Sequence, residues 1–112
     1  MARFHLAVKH HEQALDLFRE AGNGLGEAWA LNGLGEATRR SGDTTNAFAH
    51  HNAALAAADR VGGASDQRIR AHTGLADLHE ELGDQVLAAG HRSRAAALTD
   101  NGQVRPTRYS TN

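Results

Sequence analysis

The sequence contains no cysteine, a single proline at Pro106 and few aromatic residues. Without cysteine, neither disulfide bonds nor thiolate metal sites can form. No stretch of roughly 18 consecutive apolar residues occurs, so the sequence predicts no membrane-spanning helix. The first residues, Met1-Ala2-Arg3-Phe4-His5, lack the apolar segment of a signal peptide. We therefore expect a cytoplasmic protein.

The sequence also lacks an excess of charge of either sign. Lys and Arg number 12 and Asp and Glu number 13, which leaves a formal net charge of -1 when the 8 histidines are neutral. Nucleic acids and anionic lipid surfaces attract proteins through a surplus of positive charge. We therefore expect neither a nucleic acid nor a membrane among the direct partners.

What the sequence does have is an internal repeat. A shift of 40 residues superposes one set of identical residues and a shift of 41 superposes a second set, so each repeat is 40–41 residues long. The first set is Ala7, His10, His11, Ala14, Leu15 and Gly22, which align with Ala47, His50, His51, Ala54, Leu55 and Gly62. The second set is Ala30, Gly33, Leu34, Gly42, Asp43, Ala47, His50, Ala54 and Asp59, which align with Ala71, Gly74, Leu75, Gly83, Asp84, Ala88, His91, Ala95 and Asp100.

Each repeat predicts two helices, because small and apolar residues recur with helical spacing and glycine interrupts them at regular points. Gly42-Asp43 and Gly83-Asp84 lie in mid-repeat, where Gly suits a left-handed helix end and Asp can cap the next helix. Ser65-Asp66 offers a further N-cap. The predicted helices span about 4–21, 25–40, 44–61, 66–81 and 85–100. They form one repeat domain over 1–102, followed by a polar tail over 103–112 that we expect to be disordered.

Two of the small residues inside the predicted helices lie where the helices of one hairpin would cross. Gly inside a helix costs about 1 kcal/mol relative to Ala, so Gly35 is explained if close packing recovers that cost. Ala76 occupies the equivalent position of the next repeat. We expect the two helices of each hairpin to approach closely at these points.

The residue pattern resembles the tetratricopeptide repeat. One copy reads Leu31-x-x-Leu34-Gly35-x-x-Thr38-x-x-x-Gly42-Asp43-x-x-x-Ala47-x-x-x-His51-x-x-Ala54, and the next reads His72-x-x-Leu75-Ala76-x-x-His79-x-x-x-Gly83-Asp84-x-x-x-Ala88-x-x-x-Arg92-x-x-Ala95. The resemblance implies an all-α fold, a right-handed stack of antiparallel helical hairpins with five helices in about two and a half repeats. The pattern departs from the family at positions where a large core aromatic is usual, namely Leu31, Thr38, His72 and His79.

The length of the repeat narrows the resemblance. Two segments narrow it further: His11-Glu12-Gln13-Ala14-Leu15-x-Leu17-Phe18-Arg19-Glu20-Ala21-Gly22 and Gly26-Glu27-Ala28-Trp29-Ala30-Leu31-Asn32-Gly33-Leu34-Gly35. They resemble the repeat arrays of actinobacterial transcriptional regulators, which implies a piece of a larger regulatory protein. No nucleotide-binding motif of the Gly-x-x-x-x-Gly-Lys-Ser/Thr type occurs in the sequence.

In the family, the first helix of each hairpin lines a concave groove that binds a peptide or a partner helix. The resemblance assigns to this groove Trp29, Asn32, Glu36, Arg39 and Arg40 from one helix, and Arg70, Thr73, Asp77, Glu80 and Glu81 from the next. Both signs of charge occur, so we expect a protein or peptide partner of mixed charge and no binding of purely acidic peptide tails. Trp29 is the expected anchor; the alternative is that it packs on a neighbouring helix.

The eight histidines suggest metal binding or catalysis, but their positions favour packing or surface roles. His10, His50 and His91 share one repeat position, so duplication explains their spacing and separates them along the stack. His72 and His79 are two turns apart, roughly 10.5 Å of helical rise, which is too far for one zinc ion. Two and a half hairpins also hardly form the enclosed pocket that catalysis requires. We predict no metal, no cofactor and no enzymatic activity.

Two functions remain open at this stage. The first is a protein–protein interaction scaffold that binds a peptide or partner helix in the groove. The second is a structural module that forms a homodimer, and we expect some homo-oligomerisation. Helices 4–21 and 85–100 have no capping neighbour in the sequence, and they would expose apolar side chains at the ends: Leu6, Val8, Leu15, Leu87 and Leu98.

Overall fold

The computed structural model describes residues 2–102, in which five α-helices follow one another and no strand occurs. The helices are α1 (Ala2–Glu20), α2 (Gly24–Arg40), α3 (Thr44–Val61), α4 (Ser65–Glu81) and α5 (Gln85–Gly102). The predicted all-α stack of helical hairpins is confirmed, and each predicted helix boundary lies within two residues of the observed one. The predicted disordered tail over 103–112 lies outside the described residues.

The turn between α2 and α3 shows why glycine and an acidic residue recur in mid-repeat. Gly42 has a φ of 89°, which a residue without a Cβ adopts at no steric cost. Its backbone N–H donates to the Arg39 carbonyl at 3.0 Å, and the Asp43 N–H donates to the Thr38 carbonyl at 2.8 Å. The Asp43 side chain then accepts from the Asn46 N–H at 3.2 Å. One residue therefore closes α2 and caps α3.

The same turn recurs twice. Gly22-Asn23 joins α1 to α2, and Gly83-Asp84 joins α4 to α5, with the same two backbone hydrogen bonds at each site and the Asn23 or Asp84 side chain as the next cap. The turn between α3 and α4 differs. Its N-cap residue is Ala64, which forms no side-chain cap, and Ser65 is already the first residue of the helix.

Helix α2 is the centre of the stack, because α1, α3 and α4 all contact it. The core between these helices is built from alanine and leucine, and Leu34, Leu75 and Leu78 are among its largest fully buried side chains. Glycines replace side chains where a ring from another helix crosses the backbone. A Cβ on Gly35 would lie 2.5 Å from the His51 Nε2, and Gly33 is in the same relation to the His11 ring. The predicted close approach at Gly35 is thus explained by an imidazole.

Two glycine-to-alanine substitutions should therefore have opposite effects on stability. Gly35→Ala places a methyl group against His51, and overpacking of this kind costs about 1–3 kcal/mol, more than the helix propensity of Ala returns. Gly90 lies within α5, where the nearest atom to an added Cβ is the flexible Arg94 Nη1 at 4.0 Å. Gly90→Ala should raise the free energy of unfolding by about 0.5–1 kcal/mol. Urea unfolding followed by circular dichroism compares the two variants, and a Gly35→Ala protein as stable as Gly90→Ala would contradict this packing.

Candidate functional site

A buried polar network joins the helices that carry the predicted groove residues. The His51 Nδ1 on α3 lies 2.8 Å from the Asn32 Oδ1 on α2. The Asn32 amide nitrogen donates to the backbone carbonyl and the side-chain oxygen of Gln67 on α4, at 2.9 and 3.1 Å. Because the Asn32 oxygen can only accept, His51 carries its proton on Nδ1. One histidine and one asparagine therefore tie three helices together.

Asn32 corrects the groove assignment that the family pattern implies. It was expected on the groove surface, but its side chain is 0% exposed and its polar atoms bond within the protein. The reason is that α4 packs over α2 at this point. Thr73, the equivalent residue one repeat later, is exposed, because none of the described helices covers α4 in the same way.

The environment of His51 keeps its ring neutral. Burial is the main cause that lowers the pKa of His51 to about 4, since a charged imidazole loses its hydration inside the core. The Nε2 atom finds no hydrogen-bond partner in the described part of the chain, and it faces Gly35 and Gly74. This histidine is a structural group that occupies the space left by two glycines.

The outer surfaces of α2 and α4 are joined by two ion pairs. In one pair the arginine lies on α4, and in the other it lies on α2. Arg70 donates from Nε and Nη2 to the two carboxylate oxygens of Glu36, each at 2.6 Å. Arg39 donates to the Glu81 carboxylate at 3.0 and 2.6 Å. Burial alone would raise the pKa of Glu36, but the hydrogen bonds from Arg70 outweigh it, and the pKa lies below its ordinary value. The predicted groove charges thus neutralise each other across the helices.

The two remaining acidic groove residues of α4 are paired with a residue that the sequence did not suggest. Arg92 on α5 contacts Asp77 at 3.1 Å and Glu80 at 2.9 Å. Arg92 occupies the repeat position of His51, yet it is exposed at the surface. The signal for this was available, because Ala76 replaces Gly35 in the same repeat and leaves no space for a buried ring.

Three of the predicted groove residues are exposed and take no part in these ion pairs. Trp29 on α2 is 42% exposed. Its ring packs edge-on against His11 and Phe18 of α1, with ring centroids 5.2 and 6.2 Å away. Its backbone carbonyl lies 3.4 Å from the Arg70 Nη1, so the backbone of Trp29 neighbours the Glu36–Arg70 pair. Arg40 and Thr73 are exposed as well.

We call this surface the α2/α4 face. It comprises the nine predicted groove residues that reach the surface: Trp29, Glu36, Arg39, Arg40, Arg70, Thr73, Asp77, Glu80 and Glu81. The face combines one aromatic side chain with charges of both signs, and all of these charges except Arg40 are paired with other described residues of the chain. Such a surface offers hydrogen bonds and apolar contact to a partner chain.

The repeated histidines lie at different points of the stack. His11 packs on Gly33 and His51 packs on Gly35 and Gly74, while His91 on α5 contacts His72 and His79 of α4. The structure describes the side chains of residues 3–99. They contain no group of three His, Asp or Glu side chains that could hold a metal ion. The absence of a metal site stays a prediction.

None of the helices over the described range combines the length and the apolar character that crossing a bilayer requires.

A stack of hairpins in which an aromatic side chain and paired charges lie on one outer face defines a helical repeat module. A sequence model of the tetratricopeptide repeat matches residues 1–59 and 28–101. The chain belongs to the tetratricopeptide repeat family. Repeats of this family generally mediate protein–protein interactions, and the fold is typically a non-enzymatic scaffold. No curated protein and no solved structure matches the chain.

The buried His51 should make the protein less stable in mild acid. The unfolded chain binds a proton near the ordinary histidine pKa of about 6.5, whereas the folded protein resists protonation down to a pKa of about 4. Between these values the unfolded state binds more protons than the folded state. Lowering the pH therefore favours the unfolded state. The free energy of unfolding should drop through this window by on the order of 3 kcal/mol.

Urea unfolding at a series of pH values between about 7 and about 4.5 measures this dependence. A His51→Gln variant is the control, because it removes the titrating group and keeps a polar side chain near Asn32. Its slope should be smaller but not zero, since burial also lowers the pKa values of His11, His50, His72 and His91. An unchanged slope in this variant would show that His51 does not carry the effect.

Proposed function

We propose that the α2/α4 face binds a peptide or a partner helix of mixed charge, with Trp29 as the anchor, and that the chain serves as a scaffold within a larger regulatory protein. The observation that carries this proposal is the position of Trp29. A half-exposed indole beside charged side chains is typical of residues that dominate binding energy at protein interfaces. Packing against α1 holds the ring in place, so little entropy is lost when a partner covers its other side.

The pattern of charge supports a partner that carries both signs. Helix α2 presents Glu36 and then Arg39, and α4 presents Arg70 and then Glu81, so the sign alternates both along and across the face. Exposed ion pairs are worth only about 0–1 kcal/mol, and a partner can exchange them for its own at low cost. A purely acidic peptide would gain the arginines but would meet the carboxylates that they now neutralise.

Peptides selected from a random display library on the immobilised protein should contain both acidic and basic residues. Trp29 is the chain's one tryptophan, so binding of a synthetic copy should change the protein's tryptophan fluorescence. Trp29→Ala should weaken binding of the labelled peptide by at least about tenfold. Val86→Ala, at a side chain that is 82% exposed on α5, is the control and should bind as the original protein does.

Two results would contradict this function. A purely acidic peptide that binds with a micromolar dissociation constant at moderate salt would refute the charge argument. Selected peptides that bind equally well to the Trp29→Ala protein would place the partner on another surface.

Self-association through the ends of the stack is the alternative, and exposed apolar side chains favour it. Leu6 and Leu17 of α1 are 53% and 64% exposed, and their spacing of 11 residues places them on one side of the helix. Val86 and Leu87 are exposed on α5. Leu15, which we expected to be exposed, is buried against the core instead. Exposed apolar patches commonly mark protein interfaces, and a twofold dimer would cover the same patch on both copies.

Light scattering after size exclusion tests the dimer. At tens of micromolar, a dimer through α1 would give twice the chain mass of 11.9 kDa, and Leu6→Ser with Leu17→Ser would return it to the chain mass. The double variant Val86→Ser and Leu87→Ser is the corresponding test for a dimer through α5. A chain mass of 11.9 kDa for the unchanged protein at these concentrations would argue against self-association.

A further inference from the structure

A cleft of about 340 Å³ opens between α3, α4 and α5, and it shares no residue with the α2/α4 face. By residue type, one half of the lining is apolar and consists of Leu55 on α3 with Ala97 and Leu98 on α5. The other half is polar and consists of Asp59 on α3, Arg68 and His72 on α4, and Arg94 on α5. A small cleft with an apolar half and a few convergent polar groups is typical of a ligand site.

Arg68, which lines this cleft, has one buried hydrogen-bond donor that lacks an acceptor among the described residues. Its Nη2 contacts the Asp59 Oδ1 at 3.1 Å, but its buried Nε has no partner among the described residues. Arg70, two residues further along α4, shows the complete arrangement, because its Nε and Nη2 each donate to one oxygen of Glu36. By this comparison the Arg68 guanidinium is only partly paired, through its contact with Asp59.

The charges around the cleft favour an anion. Two guanidinium groups, Arg68 and Arg94, face one carboxylate, Asp59, whose side chain is 67% exposed and therefore well hydrated. Arg94 forms no ion pair with any side chain placed within residues 3–99. The net charge of these three groups is positive, and a bound anion would balance it.

His72 adds a group that responds to the charge in the cleft. Its Nδ1 lies 3.0 Å from the His91 Nδ1, so one ring donates and the other accepts. Burial is the main cause that lowers the pKa of His72; the Arg94 charge lowers it further, as does Arg68, whereas Asp59 opposes them. An anion beside these arginines would favour the imidazolium and raise the pKa of His72.

We propose that the cleft binds a short aliphatic carboxylate, with its head group between Arg68 and Arg94 and its chain along Leu55, Ala97 and Leu98. Guanidinium groups bind carboxylates with two parallel hydrogen bonds, and Arg94, which is exposed and forms no ion pair with the side chains placed within residues 3–99, offers such a group. The volume is at the small end of ligand sites, which limits the chain to about six to eight carbons. This site is independent of the partner-binding proposal for the α2/α4 face.

Octanoate is the probe for this site, and amide NMR shifts recorded during a titration report both affinity and position. We expect saturable shifts at residues of α3, α4 and α5 that surround the cleft. Octanol has the chain without the charge, and inorganic phosphate has the charge without the chain, so neither should saturate over the same concentration range. The dissociation constant of octanoate should rise at least about tenfold in Arg94→Gln, because one charge-assisted partner is lost.

Matched variants separate the cleft from general arginine effects. Arg92→Gln changes a neighbouring arginine on α5 that contacts Asp77 and Glu80 instead, and it should leave octanoate binding within about twofold of the original value. Ala97→Phe keeps both arginines but fills the apolar half, and it should abolish binding. Ala97 is exposed, so this variant should fold, and far-UV circular dichroism verifies that it does.

The ionisation of His72 provides a second measurement. Octanoate at saturation should raise the pKa of His72 in an NMR titration of the imidazole signals, and Arg94→Gln should remove most of this increase. The groups that face His72 are Asp59 from α3, Arg68 from α4, and Arg94 and His91 from α5, and all of them remain when octanoate binds.

Several outcomes would overturn the proposal. Octanoate that fails to saturate, or that binds equally to Arg94→Gln or Ala97→Phe, does not occupy this cleft. Phosphate that binds as tightly as octanoate would show an anion site without a role for the apolar half. A peptide with neighbouring acidic and leucine residues that produces the cleft shifts while octanoate does not would make the cleft a protein interface.

Discussion

The stack depends on a neutral imidazole held between two glycines. His51 extends from α3 into the space where Gly35 of α2 and Gly74 of α4 lack side chains, and its remaining polar contact is Asn32. Asn32 donates in turn to Gln67 on α4. This hydrogen bond fixes how far α4 is shifted along α2. Glu36 then lies opposite Arg70 at the outer surface, so the chemistry of the exposed face follows from a contact in the core.

The repeat shows what happens when this contact is missing. One repeat after His51 the residue is Arg92, and one repeat after Gly35 it is Ala76. Ala76 is fully buried, which shows that the α4–α5 crossing has room for a methyl group once no ring enters it. Arg92 turns outward and joins the acidic side chains of α4. Ala76 thus occupies space at a crossing that no ring enters, and the charge of Arg92 is balanced by Asp77 and Glu80.

The features that the sequence predicted well are local. The helix ends follow from Gly-Asp and Gly-Asn pairs, whose effects are confined to a few neighbouring residues, so the boundaries were close to those observed. Gly35 was also informative, because glycine in a helix without a turn requires a close contact. The sequence did not identify His51 as the contact, because nothing in the sequence distinguishes this histidine from those at the surface.

The features that were missed depend on pairing between distant segments. The family resemblance assigns Asn32 to the groove by its position in the repeat, but whether it is buried depends on where α4 crosses α2. The ion pairs of Arg39 and Arg70 connect residues 42 and 34 positions apart, and no periodicity within one helix reveals such a register. The partner-binding role of the face and the self-association of the chain remain predictions.

The double role of Asn23, Asp43 and Asp84 determines where the stack can change its shape. Each of these residues ends one helix and begins the next, so an inserted residue would separate the two functions and leave a helix end without its partner. The turn at Gly62-Gly63 carries no such requirement, because α4 begins without a side-chain cap. Insertions and deletions should therefore be tolerated at that joint, which makes it the place where evolution can alter the curvature of the stack without unfolding a hairpin.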